Sequence, residues 1–153
     1  MTTPGAGTAT ANTATANIGL LLSLASAQGV AAANRGLRAL DLNSRSFSLL
    51  DVVGQAGGVS QREIADAIRL DPSQVVALLD TLETRGLLER RPNPNDRRQR
   101  SVVVTPRGRE ELDRARAIVE DSLDEVLADL DHAERGTLRA LLQRVVGPFH
   151  DVS

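Results

Sequence analysis

Eight arginines fall between Arg85 and Arg109, against only two acidic side chains, Glu89 and Asp96. That span is net +6 in a chain that is net −2 as a whole. Its densest part is Glu89–Thr105, ERRPNPNDRRQRSVVVT, with five of the arginines. Guanidinium groups gathered this way do not make or break bonds. They displace condensed counterions from a polyphosphate, which gives affinity without reading sequence. A basic hairpin can also be no more than a solvated turn, so its neighbours in the chain decide the reading.

The rest of the chemistry is sparse. There is no cysteine, which excludes disulfides, a thiol redox switch and a Cys-ligated metal. The two histidines, His132 and His150, read as surface residues, and no metal site is expected. No nucleophile–base pair, carboxylate pair or glycine-rich phosphate loop stands at usable spacing, so neither an enzyme nor a cofactor is expected. The only aromatics are Phe47 and Phe149, and neither lies in the basic segment. That argues against single-stranded nucleic acid, which wants stacking platforms.

The elements around the arginines supply the context. SQREIADAI opens with Ser60 and Glu63 at capping-box spacing, and Ile64, Ala65 and Ile68 mark its core face. After a short RLD turn, Asp71 is an N-cap and Pro72 an N1 residue. Val75, Leu78, Leu79 and Leu82 form that helix's stripe, and Gly86 ends it. Two short capped helices joined by about three residues are a helix-turn-helix. Strand-like Leu87–Leu88 and Val102–Val104 then flank the turn residues Pro92 to Asp96. The basic stretch is therefore a β-hairpin directly after a helix-turn-helix, which makes it a wing. The second helix can enter a major groove while the wing tip follows the adjacent minor groove. Arg97 and Arg98 at the tip suit minor-groove insertion. Asp96 is read either as an acceptor that fixes the turn and aims a neighbouring arginine or as an ordinary turn cap.

Outside this unit the chain is helical. Residues 1–16 read as a flexible tail. Helices are expected at about 17–40, about 46–56, 106–130 after the Thr105 cap, and 131–147 after Asp131 and Glu134. The fold class is mainly α with a small β-hairpin wing. The winged helix-turn-helix occupies about 46–106 of a single domain at 17–150. The segment IGLLLSLASAQ has no basic region before it, so a buried helix is expected rather than a signal peptide, with cytoplasm as the location. No membrane span is expected. The helices at both ends carry more apolar surface than a unit of 46–106 can cover, and a second subunit is the economical explanation.

LETRGLLERRPNPNDRRQRSVVVTPRGRE resembles the signature of the multiple-antibiotic-resistance regulator (MarR) family. The shared positions are Leu82-Glu83, Gly86-Leu87, Arg90, Pro92, Asp96-Arg97-Arg98, and Thr105 with Gly108. The likeness extends over roughly 17–147. It implies a winged-helix homodimer on a pseudo-palindromic double-stranded operator, a small organic ligand that weakens DNA binding, and Arg98 as the Asp-x-Arg arginine of the minor groove. The second helix departs from the family pattern. Val76, Ala77 and Thr81 stand where members often carry a Thr-Arg pair and a further Arg. From Asp71 to Thr84 there are three acidic residues and no basic one. Asp71, Asp80 and Glu83 are expected to turn toward caps and toward Arg85 or Arg62.

The expected DNA-facing set is Ser60 and Arg62 on the first helix and Ser73, Gln74, Ala77 and Thr81 on the second. Arg90, Arg91, Arg97, Arg98 and Arg100 complete it on the wing. The function this implies is a dimeric transcriptional regulator, a repressor released by its ligand. The acidic second helix motivates the alternative, a winged-helix dimer that binds protein partners and has lost DNA recognition.

Overall fold

The computed structural model describes residues 17–147. The tail expected at 1–16, Phe149 and His150 lie outside the described residues. In chain order the elements are α1 (Ile18–Leu37), a 3-10 turn at Arg38–Leu40, α2 (Ser44–Gln55), α3 (Gln61–Ile68), α4 (Pro72–Thr84), β1 (Leu88–Pro92), β2 (Arg100–Val104), α5 (Pro106–Val126) and α6 (His132–Val146).

Local capping chemistry sets most of these boundaries. Ser60 accepts from the Glu63 N–H and Glu63 returns a bond to the Ser60 N–H, which closes a capping box at α3. Asp71 accepts from the Ser73 N–H, with Pro72 behind it at the start of α4. Thr105 accepts from the Gly108 N–H at α5, and Asp131 and Glu134 form a second box at α6. Gly86 leaves α4 at φ +72°, a left-handed turn that only glycine makes without cost.

The core lies where α2, α3, α4, the hairpin and the start of α5 meet. Leu49, Leu50, Val53, Ile64, Val75, Leu79, Leu82, Leu87, Leu88, Val102 and Leu112 are all buried there. β1 and β2 pair antiparallel, with Leu88 opposite Val104 and Arg90 opposite Val102. Val59, just before α3, adds a single third rung through two bonds to Val102, of 3.1 and 2.7 Å. The hairpin is thus tied to the helix-turn-helix through backbone as well as side chains.

Two close approaches hold α5 in place. Gly108 faces the Leu87 carbonyl, and a Cβ there would sit 1.9 Å from its oxygen. Arg85, the residue after α4, donates to the carbonyls of Leu40 at 2.8 Å and Asp41 at 3.0 Å. It also lies 3.5 Å from Glu111, a buried carboxylate on α5 that Arg114 pairs at 2.5 Å. Arg85 therefore links the end of α4 to the α1–α2 junction and to α5.

The end helices differ from expectation in their cover. α1 was expected to be buried, yet residues 18–28 are exposed and only Ala32, Ala33 and Leu37 are buried in it. α1 meets α5 in its second half, with Gly36 against Ile118 and Ser122 and Gly29 near Leu123. Its first half has no such support. α6 buries no residue at all. α5 ends at Val126 rather than 130, and Arg135 donates to the carbonyls of Leu127 and Leu130 just beyond its end.

Gly108→Ala is expected to cost about 1–3 kcal/mol, the usual penalty of forced overpacking, because a backbone carbonyl cannot step aside. Gly54→Ala is expected to cost less, since its new Cβ would press on a side-chain methyl of Leu112 rather than on backbone; urea unfolding of the two variants compares them.

The Glu63 carboxyl is lowered from 4.5, chiefly by its side-chain hydrogen bond with Ser60, and Asp71 is lowered from 3.8 by Ser73. A depressed carboxylate stabilises fully above its unfolded value, and the effect is lost as pH falls through the folded value. A melting temperature that is level down to about pH 5 and then declines is the expected profile. Glu63→Gln should remove a small part of the decline, small because the group is exposed.

Candidate nucleic-acid interface

The candidate surface is made by α3, α4 and the hairpin, and its geometry turns on Arg90. This side chain, 13% exposed, does not face outward. Its Nε donates to Gln61 on α3 at 2.9 Å, its Nη2 to Asp80 at 2.7 Å, and its Nη1 to Glu83 on α4. Glu83 also accepts the Arg90 backbone N–H at 3.2 Å. Partial burial works against the charged guanidinium, but the bonds from Asp80 and Glu83 outweigh it and raise its pKa further. Asp80 and Glu83 were expected to turn to Arg85 or Arg62; they turn to Arg90 instead. The two acidic groups that made α4 a poor neighbour for phosphate are therefore partly neutralised by the wing itself.

The hairpin tip is ordered by Asp96. Its Oδ1 accepts the Arg98 N–H at 3.0 Å, and its carbonyl accepts the Gln99 N–H at 3.0 Å. Asn93 adds a bond from its N–H to the Gln99 carbonyl at 2.9 Å. The Asp96 side chain contacts backbone and not a guanidinium, so it shapes the turn that carries Arg97 and Arg98. Arg97, Arg98 and Arg100 are exposed and make no ion pair among the described residues. Arg91 is exposed but pairs with Glu89.

On α3, Ser60 is the helix cap and Arg62 is exposed and unpaired among the described residues. On α4, Ser73, Gln74, Ala77 and Thr81 are all exposed, opposite the buried stripe of Val75, Leu79 and Leu82. The Ser73 hydroxyl is bound to Asp71 at 2.5 Å and the Thr81 hydroxyl to the Ala77 carbonyl at 3.0 Å. The structure thus sets all the expected residues except Arg90 on accessible positions of adjoining elements. Val76, which sequence reasoning passed over as a reader, is also exposed on this helix.

Two further features lie away from this surface. A groove of about 640 Å³ runs between α2, α3 and the end of α6, lined by Phe47, Val52, Ile68, Val145 and Val146 with Asp51 and Arg69 at its polar side. Phe47 both packs against the core and lines the groove. Among the described residues there is no group of three or more His, Cys, Asp or Glu that could hold a metal ion, and no helix long and apolar enough to cross a membrane.

Two capped helices, a buried recognition-helix stripe and a basic hairpin beside it define a winged helix-turn-helix protein. Comparison with known proteins agrees and goes further. The family model for the MarR family matches residues 40–99. The chain is 30% identical over 114 residues to the multiple antibiotic resistance protein MarR of Escherichia coli, which covers 74% of this chain and 79% of that one. It is 36% identical over 99 residues to a putative transcriptional regulatory protein for the hcr operon of Thauera aromatica. That match takes in 65% of this chain and 60% of the Thauera protein, less than two thirds of its length. In structure it is similar to CouR from Rhodococcus jostii RHA1 bound to p-coumaroyl-CoA, with a TM-score of 0.76, 33% identity and coverage of 86% and 93%. It is also similar to a cysteine-to-serine mutant of MarR from E. coli complexed with operator DNA, with a TM-score of 0.73, 27% identity and coverage of 85% and 94%. The chain belongs to the MarR family, a family of transcriptional regulators and not of enzymes.

Arg90→Ala is expected to destabilise the fold by about 1 kcal/mol, since it removes three charge-assisted bonds whose carboxylate partners remain within reach of water. Because Arg90 is not a free cation, the same variant should weaken DNA binding without lowering the salt slope by a full phosphate contact. Urea unfolding and anisotropy at several salt concentrations measure the two effects.

Proposed function

We propose that this protein is a homodimeric, sequence-specific double-stranded-DNA-binding regulator of transcription, acting in the cytoplasm as a repressor that a small organic ligand releases. The observation that carries the reading is the wing. Arg97 and Arg98 stand exposed and unpaired, among the described residues, on a turn that Asp96 holds open, beside a capped α4 with an exposed outer face. Arg98 enters the minor groove with Arg97 next to it. Arg91 and Arg100 reach the flanking phosphates, and Ser60 and Arg62 meet the backbone from α3. Arg90 serves as the strut of the wing and not as a contact.

The dimer reading is supported by uncovered apolar surface at both ends of the domain. Ile18 is 76% exposed and Val145 70%, with Leu20, Leu24 and Leu141 at about half. A soluble monomer rarely leaves such a surface open, and a second copy closes it by two-fold symmetry. Two α4 helices related by that symmetry call for a pseudo-palindromic operator. The winged helix-turn-helix at about 46–106 is then flanked by dimerisation helices. The groove beside Phe47 is of ligand size and lies between the winged unit and α6, where an occupant would alter how the two meet.

The absence of a cation on α4 favours one other reading, a dimer that binds protein and not DNA. Anisotropy titration on duplex from upstream of the protein's own gene decides between them. Binding that survives scrambled competitor, falls steeply with salt and drops at least tenfold in Arg97→Ala/Arg98→Ala is the expected result. Binding unchanged in the double variant would remove the wing from the interface. A dimer with no affinity for any duplex at low salt that captures a protein partner would support the protein-binding reading.

A further inference from the structure

The outer face of α4 has a hydrogen-bond inventory that limits which bases it can read. Its exposed side chains from the first turn to the third are Ser73, Gln74, Val76, Ala77, Asp80 and Thr81. None is cationic. The Ser73 proton is committed to Asp71 and the Thr81 proton to the Ala77 carbonyl, so these hydroxyls offer only lone pairs outward. Asp80 can only accept. Arg90, paired to this helix, has Nε, Nη1 and Nη2 all engaged with Gln61, Glu83 and Asp80. The Gln74 amide is left as the uncommitted side-chain donor on this face. Beside it Val76, 38% exposed, and Ala77 present methyl groups.

In the major groove guanine shows two acceptors, N7 and O6, which a cation or a paired donor reads. α4 itself carries no cation, and Arg90 is held against Gln61, Asp80 and Glu83 at 13% exposure. Adenine shows an acceptor and a donor, N7 and N6, which one glutamine amide satisfies, and thymine shows a methyl group that apolar side chains cover. We propose that α4 reads A·T base pairs, with Gln74 bidentate on one adenine and Val76 and Ala77 against thymine methyls, and that no guanine is read beneath it. The inference rests on the DNA-binding reading above and adds the identity of the bases. The wing cannot be its source in any measurement on purine N7 or the thymine methyl, because the wing works in the minor groove and those groups lie in the major groove.

The test starts by selecting bound duplexes from a random library with the full chain. The best duplex is then titrated by anisotropy after single replacements of thymine by deoxyuridine, which removes only the methyl, and of any core guanine by 7-deazaguanine, which removes only N7. A·T pairs at the core of each half-site are expected, with a loss of about three- to tenfold at one or two deoxyuridine positions. Gln74→Ala should lower the preference for one adenine on the order of tenfold. It should leave the salt slope unchanged, since a neutral side chain releases no counterion. Gln74 is exposed, so the variant is expected to keep the fold. A core guanine whose 7-deaza form binds more weakly would overturn the inference and leave DNA binding intact, as would deoxyuridine without effect at every core position. A selection that enriches no duplex at all would overturn the DNA-binding reading and this inference with it.

Discussion

A two-stranded hairpin is not stable by itself in water, and the use of this one as a wing depends on what fixes it to α4. Leu88 and Val102 bury one face in the core, which holds the base of the hairpin. Arg90 sets its angle, because one guanidinium is held by Gln61, Asp80 and Glu83 at once. The planar fork of arginine fits three acceptors in fixed directions, and a lysine ammonium could not replace it. The same bonds alter α4. Without a cation between them, Asp80 and Glu83 would be two unscreened negative charges beside the phosphates that α4 must approach. One side chain thus aims the wing and makes the recognition helix tolerable to DNA.

What is fixed at the wing is passed on to the end helices. The Leu87 carbonyl accepts the Thr105 N–H at 3.1 Å and faces Gly108 with no room for a methyl group. Arg85 joins the last turn of α4 to Leu40, Asp41 and Glu111. The start of α5, the end of α4 and the α1–α2 junction therefore move as one body. In a dimer built on α1, α5 and α6, the tilt of α5 sets the distance between two α4 helices. A ligand in the groove between α2, α3 and α6 would act on that distance, and it need not touch α4 to do so.

The parts of this arrangement that were legible in the sequence are those decided within a few residues. Ser60 with Glu63, Asp71 with Pro72, Thr105 with Pro106 and Asp131 with Glu134 each cap a helix by contacts inside one turn. The α2 start was less legible, because Asn43 forms its capping box with Ser46 and not with a glutamate. Three features lay beyond local rules. The inward turn of Arg90 depends on Gln61, 29 residues away, and counting charges cannot show which cations are already spent. The turn after α5 is held by Arg135, several residues further along the chain. The exposure of α1 depends on what covers it: periodicity marks an apolar face, not its partner. The single rung at Val59 left no periodic trace, since one residue cannot alternate.

The arrangement of charge also explains why an acidic protein can approach DNA. Ten acidic side chains fall between Glu110 and Arg135, against three arginines. They belong to α5, the turn after it and the start of α6, outside the helix-turn-helix and the hairpin. On the proposed reading, a duplex would be attracted by the wing and repelled by the acidic part of α5 and α6, which favours approach wing first. The same acidic end would oppose the wrong mode of binding, in which the dimer helices lie along the duplex. Because α4 adds no cation, the electrostatic part of affinity comes from the wing and α3, and it is modest for each protomer. Discrimination would then have to come from short-range fit at the bases, and in the proposed dimer two protomers would supply the strength that one wing does not.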